Sequence, residues 1–347
     1  MDANSHEAGQ PTLRIFCGDA VEKLREFPSG SVQCCVTSPP YFGLRDYCVP
    51  GQLGLESSPA EYVDKLTEVC RDVWRVLKED GTFWINLGDS YANDGKWGGH
   101  TGGKHVKALH CSPIGRNKRY TGLKPKDLIG IPWKVAFALQ SDGWWLRSDI
   151  IWAKANCMPE SVRDRPTRSH EYLFLLTKCE RYFYDADAIK EPASEADWES
   201  RIGRANLNNK LLPTDEINGI RPRVKYTPNG KDKPRGHSRR HDGFNDRWDH
   251  MEKSEQCSGM RNKRDVWTVA PANYPEAHFA TFPRDLIKPC IMAGSRVGDV
   301  VLDPFAGSGT TGEVALELGR SAILIELNPK YVELAERRCS VTLGLPL

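Results

Sequence analysis

The stretch from Val300 to Glu326 constrains this chain most, because it packs two buried strands, a glycine turn and a helix into one short run. Val300-Val301-Leu302 is the continuous apolar run that a parallel strand needs when both faces of its sheet are covered. Asp303-Pro304-Phe305-Ala306-Gly307-Ser308-Gly309 then turns, and Thr310 to Leu318 reads as a helix ended by Gly319. Gly307 and Gly309 let backbone approach a ligand where any Cβ would intrude, and the open N–H groups of the helix face that ligand. Ser321 to Ile325 forms the next buried strand and ends in Glu326, at a distance from the glycines that suits hydrogen bonds from a ribose. Ordinary strand-to-helix turns also contain Gly-x-Gly, so this cradle needs a partner.

The partner lies at the other end of the chain. Thr37-Ser38-Pro39-Pro40-Tyr41 directly follows the apolar strand Val32 to Val36, and alone it would read as a proline turn capping that strand. Together, Ser-Pro-Pro-Tyr and Asp-Pro-Phe-Ala-Gly-Ser-Gly-Thr-Thr resemble the two signature motifs of the DNA amino-methyltransferases. Those enzymes use S-adenosylmethionine to methylate the exocyclic nitrogen of cytosine or adenine. The catalytic motif here precedes the cofactor motif, which is the order of the beta class.

The resemblance implies a catalytic turn at Ser38, Pro39, Pro40 and Tyr41, and cofactor contacts from Asp303, Phe305, Gly307, Ser308, Gly309, Thr310 and Glu326. Asp19 is similar to the family position that contacts the cofactor's adenine, and equally reads as a cap for the helical run from Val21 to Phe27. His278 to Pro283, with His278 and Phe282, resembles the segment that closes over the methionine end. Arg168-Ser169-His170-Glu171 looks like a segment near the active site, although polar residues at a strand start also make plain surface pairs.

The chemistry explains these residue types. An exocyclic amine of a base is a poor nucleophile because its lone pair is delocalised into the ring. Acceptors aimed at the amino hydrogens localise it, and the Ser38 hydroxyl and Pro39 carbonyl can accept one hydrogen each. The prolines fix φ and remove a competing donor. Tyr41 offers a stacking face for a base flipped out of a duplex.

The order of elements implies an α/β, doubly wound, mostly parallel sheet of the seven-stranded methyltransferase type, circularly permuted so that its usual first two strands come last. Leu13 to Cys17 and Ser31 to Thr37 continue it. Ser58-Pro59-Ala60-Glu61 opens a helix with a capping box, and Gly81 is expected to end that helix before the strand Thr82 to Leu87. A helix from Pro132 to Asp142 leads to the strand Trp144 to Ala153. Tyr172 to Thr177 and Tyr182 to Tyr184 read as a closing hairpin. The expected division is 11–190 for the catalytic half, 191–265 for an inserted target-recognition region, and 266–340 for the cofactor half.

The net charge of +2 over 347 residues hides an uneven distribution. Gly95 to Lys126 holds eight Lys or Arg and no acid, and Arg201 to Arg264 holds sixteen basic and eight acidic residues. Each window carries +8, which leaves −14 elsewhere. Such concentration fits contact with a phosphate backbone, and solvated loops would also carry it. The candidate DNA contacts are Lys118, Arg119, Arg235, Arg239 and Arg240, with sequence reading placed in 191–265 and a flexible basic loop at 95–126. The 11 cysteines form no Cys-x-x-Cys pair, which argues against a zinc site or a disulfide framework, and no metal is expected. No apolar run reaches membrane length and the first ten residues lack a signal core, so a cytoplasmic location is expected.

The resemblance therefore implies a bacterial or phage enzyme acting on double-stranded DNA, with a restriction endonuclease as a possible companion. Ser in the first catalytic position is the usual family mark of cytosine N4 methylation, with adenine N6 as the alternative. Methylation of protein glutamine or RNA would usually place the cofactor motif first. A DNA-binding protein that has lost the cofactor would not be expected to keep Ser38, Pro39, Pro40, Asp303, Gly307 and Gly309.

Overall fold

The computed structural model describes residues 10–44, 46–47, 49–92, 121–157, 159–193, 260–272 and 282–343. Contacts divide the chain into one unit of residues 1–189 with 264–347 and a second of residues 190–263. The elements in chain order are β1 (Leu13–Cys17), α1 (Ala20–Arg25), β2 (Val32–Thr37), α2 (Pro59–Val76), β3 (Leu77–Leu87), α3 (Ile131–Ser141), β4 (Trp145–Lys154), β5 (His170–Thr177), β6 (Glu191–Pro192), β7 (Met260–Arg261), β8 (Val266–Val269), α4 (Arg284–Gly294), β9 (Val300–Asp303), α5 (Thr310–Glu317), β10 (Ser321–Glu326) and α6 (Pro329–Leu343).

Eight strands of the first unit form one sheet in the order β1-β10-β9-β2-β3-β5-β4-β8. The first strand of the chain pairs with the last, Leu13 opposite Ala322 through Cys17 opposite Glu326, so the permuted order closes without a gap. All pairs are parallel except those of β5 with β3 and with β4. Connections leave β9 toward β10 and leave β2 toward β3, in opposite directions. The carboxyl ends of β9 and β2 therefore form the switch point, where open α/β sheets bind their ligands.

β2 is buried throughout because helices cover both sheet faces. Cys35 packs on one side with Phe83, Ile85 and Leu302, while Cys34 and Val36 pack on the other with Trp84 and Val301. This two-residue alternation inside a wholly buried strand is the pattern of a parallel sheet core. Helix α2 begins as its sequence dictates: Pro59 occupies the first turn and Ser58 Oγ accepts from Glu61 N at 3.2 Å. The return bond of Glu61 runs to Ser57 N at 3.0 Å, one residue earlier than a standard capping box.

Three expectations need correction. Gly81 does not end α2; the chain turns extended at Leu77, and Gly81 lies inside β3, where a Cβ would sit 3.0 Å from the Gln33 and Lys78 carbonyl oxygens. Tyr182 to Tyr184 is not a strand, because β5 is already paired on both edges. Instead Phe183 N donates to Asp80 O at 2.9 Å. The sheet also gains an eighth strand, β8, whose short run gives little periodic signal and whose Trp267 is buried.

In the second unit, β6 and β7 pair antiparallel, and Arg261 Nε donates to Glu191 Oε1 at 2.9 Å.

Gly309 adopts φ +82, and a Cβ there would lie 2.8 Å from the Ala335 Cβ on α6. Gly30 adopts φ +67 with nothing near its absent Cβ. Gly309→Ala is therefore expected to cost about 2 to 4 kcal/mol in urea unfolding, from backbone strain and overpacking together. Gly30→Ala should cost only about 1 kcal/mol, from strain alone. Equal effects would show that the α6 contact does not constrain Gly309.

Candidate active site

A cleft of about 1120 Å³ opens at the switch point, lined by the turn after β2 and the turn after β9. Ser38, Pro39, Pro40 and Tyr41 line it from one strand, and Phe305, Gly307, Ser308 and Thr310 from the other, with Glu326 and Asp19 nearby. The two distant motifs thus share one cavity. Phe282 also lines it. His278 lies outside the described residues, as do Lys118, Arg119, Arg235, Arg239 and Arg240.

The cradle is built by backbone. Gly307 adopts φ +52 and no atom lies within 4 Å of its absent Cβ, so the space that a side chain would fill is open to a ligand. Gly307 N donates to Glu326 Oε2 at 2.8 Å and Asn328 N to Glu326 Oε1 at 2.8 Å. Each carboxylate oxygen keeps a second lone pair for a hydroxyl donor. Burial pushes the Glu326 carboxyl above its usual value, against the pull of those backbone donors. Arg338 on α6 holds the turn from behind, donating to Ser308 Oγ at 3.1 Å, Thr310 Oγ1 at 2.9 Å and Glu313 Oε2 at 2.6 Å. Nothing in the sequence marked Arg338 for this.

Two residues of the cofactor motif do other work. Gly309 is needed by the packing of α6 and does not line the cleft. Asp303 is fully buried and also does not line it. Its Oδ1 accepts from Thr37 Oγ1 at 2.6 Å and from Phe305 N at 3.0 Å, and its Oδ2 accepts from Thr311 Oγ1 at 2.6 Å. It joins the end of β2, one residue before Ser38, to the helix below the cradle. Burial drives its carboxyl up from 3.8 to about 6, with the two threonines and Phe305 N opposing. Asp19 caps α1, accepting from Val21 N at 2.9 Å and Glu22 N at 3.1 Å, while lining the cleft.

The turn from Ser38 to Tyr41 is held on several sides. Tyr62 Oη on α2 donates to Pro40 O at 2.8 Å. Gly88 lies against the Tyr41 ring so closely that a Cβ would sit 2.5 Å from Cε2. The Tyr41 hydroxyl donates to Glu171 Oε2 at 2.6 Å, lies 3.0 Å from Asn86 Oδ1, and accepts from Ser38 Oγ at 3.3 Å. Lys154 Nζ pairs with Glu171 Oε1 at 2.5 Å. Tyr41 is thus bound through its hydroxyl as well as offering a ring. The segment at Arg168 to Glu171 reaches the site, with Arg168 donating to Asp89 O at 2.6 Å. Lys154 and Asn86 carried no motif, and their roles appear only once β3, β4 and β5 align.

Among the described residues no group of three His, Cys, Asp or Glu could hold a metal ion, and no helix is long and apolar enough to cross a membrane.

A mostly parallel sheet with a glycine turn and a Ser-Pro-Pro-Tyr turn at its switch point is the arrangement expected of a nucleotide-cofactor transferase site. The DNA methylase family of N6 and N4 methyltransferases matches residues 32–337, and the chain belongs to that family. It is 43% identical over 324 residues to the Type II methyltransferase M.Cfr9I of Citrobacter freundii, covering 93% of this chain and 86% of the relative. It is 42% identical over 333 residues to the Type II methyltransferase M.SmaI of Serratia marcescens, covering 96% and 92%. Its fold is similar to a putative DNA modification methylase from Thermus thermophilus complexed with S-adenosyl-L-methionine (TM-score 0.54, 24% identity, 95% and 94% covered). It is also similar to the PvuII DNA methyltransferase, described as cytosine-N4-specific (TM-score 0.56, 18% identity, 95% and 88% covered).

The raised Asp303 value has a testable sign. Its folded value lies above the unfolded one, so its stabilising contribution is fully present below about pH 4 and is lost as the pH rises through about 6. Asp303→Asn keeps the shape and removes the titration. The stability of the wild type relative to this variant is expected to fall by about 3 kcal/mol across that window and stay level above it. A pH-independent difference in urea unfolding would contradict the buried, titrating carboxyl.

Proposed function

We propose that this chain is a site-specific DNA methyltransferase that transfers a methyl group from S-adenosylmethionine to the exocyclic N4 of cytosine in duplex DNA. The observation that carries the reading is the shared cleft: Ser38 and Pro39 face the same cavity as Gly307 and Glu326, although their motifs stand at opposite ends of the chain. S-adenosylmethionine supplies an electrophilic methyl on its sulfonium. Glu326 has lone pairs left for the ribose hydroxyls, and Gly307 lets the ligand lie against backbone. The remaining chemistry belongs to the turn after β2.

Ser38 Oγ and Pro39 O accept the two amino hydrogens and turn the nitrogen lone pair out of the ring, and once the methyl has left the sulfonium for the nitrogen one of those hydrogens, now acidic, is lost as a proton to solvent. Buried Pro39 has no N–H, and its carbonyl is bonded to no described residue, so it is available as an acceptor. The base reaches this site only when flipped out of the duplex. Phosphate contacts come from the basic windows, with Lys118, Arg119, Arg235, Arg239 and Arg240 as the candidates, and residues 191–265 read the sequence.

Cytosine N4 is favoured by Ser38 in the first motif position, where adenine-specific family members usually carry Asp or Asn. The adenine reading has its own support, since the chain is 25% identical over 335 residues to the DNA adenine methyltransferase YhdJ of Escherichia coli. Nucleoside mass spectrometry of DNA from expressing cells decides between them. The expected product is N4-methylcytosine, and Ser38→Ala should lower the single-turnover rate by about 10² to 10³ while leaving DNA and cofactor binding intact. N6-methyladenine alone would overturn the base assignment, and full activity of Ser38→Ala would overturn the role of the hydroxyl.

A further inference from the structure

The hydrogen bonds around Tyr41 have a direction. Glu171 is paired with the Lys154 ammonium at 2.5 Å, and both side chains are largely withdrawn from solvent, 14% and 24% exposed. A carboxylate in such a pair only accepts, so the Tyr41 hydroxyl spends its one hydrogen on Glu171 Oε2 at 2.6 Å. Burial first, and then the Glu171 charge, push the phenol well above its usual value, so it keeps that hydrogen. The Asn86 amide beside the phenol offers it no competing donor. Asn86 Nδ2 is committed to Tyr172 O at 3.0 Å, which turns Oδ1, an acceptor, toward Tyr41.

With its hydrogen spent, the Tyr41 oxygen can only accept from Ser38, whose Oγ donates to it across 3.3 Å. The Ser38 hydrogen then points away from the base, and the oxygen presents lone pairs to the cleft. An unrestrained serine hydroxyl would rotate and offer its hydrogen to a ring nitrogen or carbonyl of the base as readily as it accepts from the amine. Amine methylation needs only the acceptor. We propose that Glu171, held by Lys154 and acting through Tyr41, is the positioning residue that fixes the Ser38 hydroxyl as an acceptor for the amino group to be methylated. The proposal rests on the reading of Ser38 as that acceptor and adds the groups that give it one orientation. It applies to either base, because both amines present the same two hydrogens.

Orientation through a wire predicts coupling, which separates it from a structural role for Glu171. Glu171→Gln keeps the shape but can donate as well as accept, so Tyr41 is no longer forced to be the donor. Tyr41→Phe removes the middle link, keeps the ring on Gly88 and leaves the ion pair with Lys154 untouched. The measurement is the single-turnover methyl transfer rate of these variants, of Ser38→Ala, and of the doubles that combine each with Ser38→Ala. Two controls accompany it: binding to a duplex carrying 2-aminopurine at the target, and the ring Cζ chemical shift of ¹³C-labelled Tyr41 in the protein free of cofactor.

Glu171→Gln and Tyr41→Phe are each expected to slow transfer roughly 10- to 100-fold, within the range of losing one oriented donor or acceptor. Neither should slow Ser38→Ala further, since the oxygen that they orient is gone. Duplex binding should stay at the wild-type value, and Glu171→Gln should move the Tyr41 Cζ shift. Wild-type rates for both variants would overturn the proposal, as would losses that multiply with that of Ser38→Ala. If Glu171→Gln fails to fold, the Tyr41→Phe cycle decides alone. Full activity of Ser38→Ala would instead remove the underlying reading of Ser38, a result distinct from multiplicative losses.

Discussion

The site depends on one buried carboxylate. Asp303 ends β9, and its side chain points under the turn into the protein, where Thr37, Thr311 and Phe305 N satisfy it. A charge or acid in that position would cost several kcal/mol without partners, so its three donors are fixed as firmly as it is. Thr37 is one residue from Ser38, Phe305 is two residues from Gly307, and Thr311 is in the first turn of α5. One residue thereby sets the distance between the group that would hold a methyl donor and the group that would hold the amine. For a reaction that depends on alignment, that spacing is the main contribution of a protein.

The sheet brings these residues together despite their separation in sequence. β9 and β2 are adjacent and parallel, with Cys34 opposite Val301 and Cys35 opposite Leu302. This register leaves both carboxyl ends level at the point where the connections diverge. The permuted order has little energetic consequence, because β1 pairs with β10 over its whole length, from Leu13 opposite Ala322 to Cys17 opposite Glu326, and Thr12 N also donates to Ser321 Oγ at 3.1 Å. Where the chain begins and ends within such a sheet leaves its layers and its switch point unchanged.

Much of this was legible in the sequence where a local rule sufficed. The strand Val300 to Asp303, the glycine turn, the cap at Ser58 and the proline turn at Pro39 each require particular residue types at fixed spacing. What escaped depended on partners distant in sequence. Asp303 looked like a ligand contact because the motif gives no sign that the side chain points inward. Gly309 looked like a second point of ligand approach, whereas Ala335 on α6 is what excludes a side chain there. Tyr182 to Tyr184 had strand composition, but β5 offered no open edge. The wire from Ser38 to Lys154 crosses from the turn after β2 to β5 and β4, and only their antiparallel register aligns it.

If the two turns serve one reaction, one base and one cofactor meet them together. A crystal structure of the protein bound to its duplex and to S-adenosylhomocysteine measures this directly. The account predicts a flipped base whose exocyclic nitrogen lies within hydrogen-bond reach, about 2.7 to 3.2 Å, of both Ser38 Oγ and Pro39 O, with the ribose hydroxyls on Glu326. A base whose amino group meets neither atom, or a ribose bound away from Glu326, would contradict it.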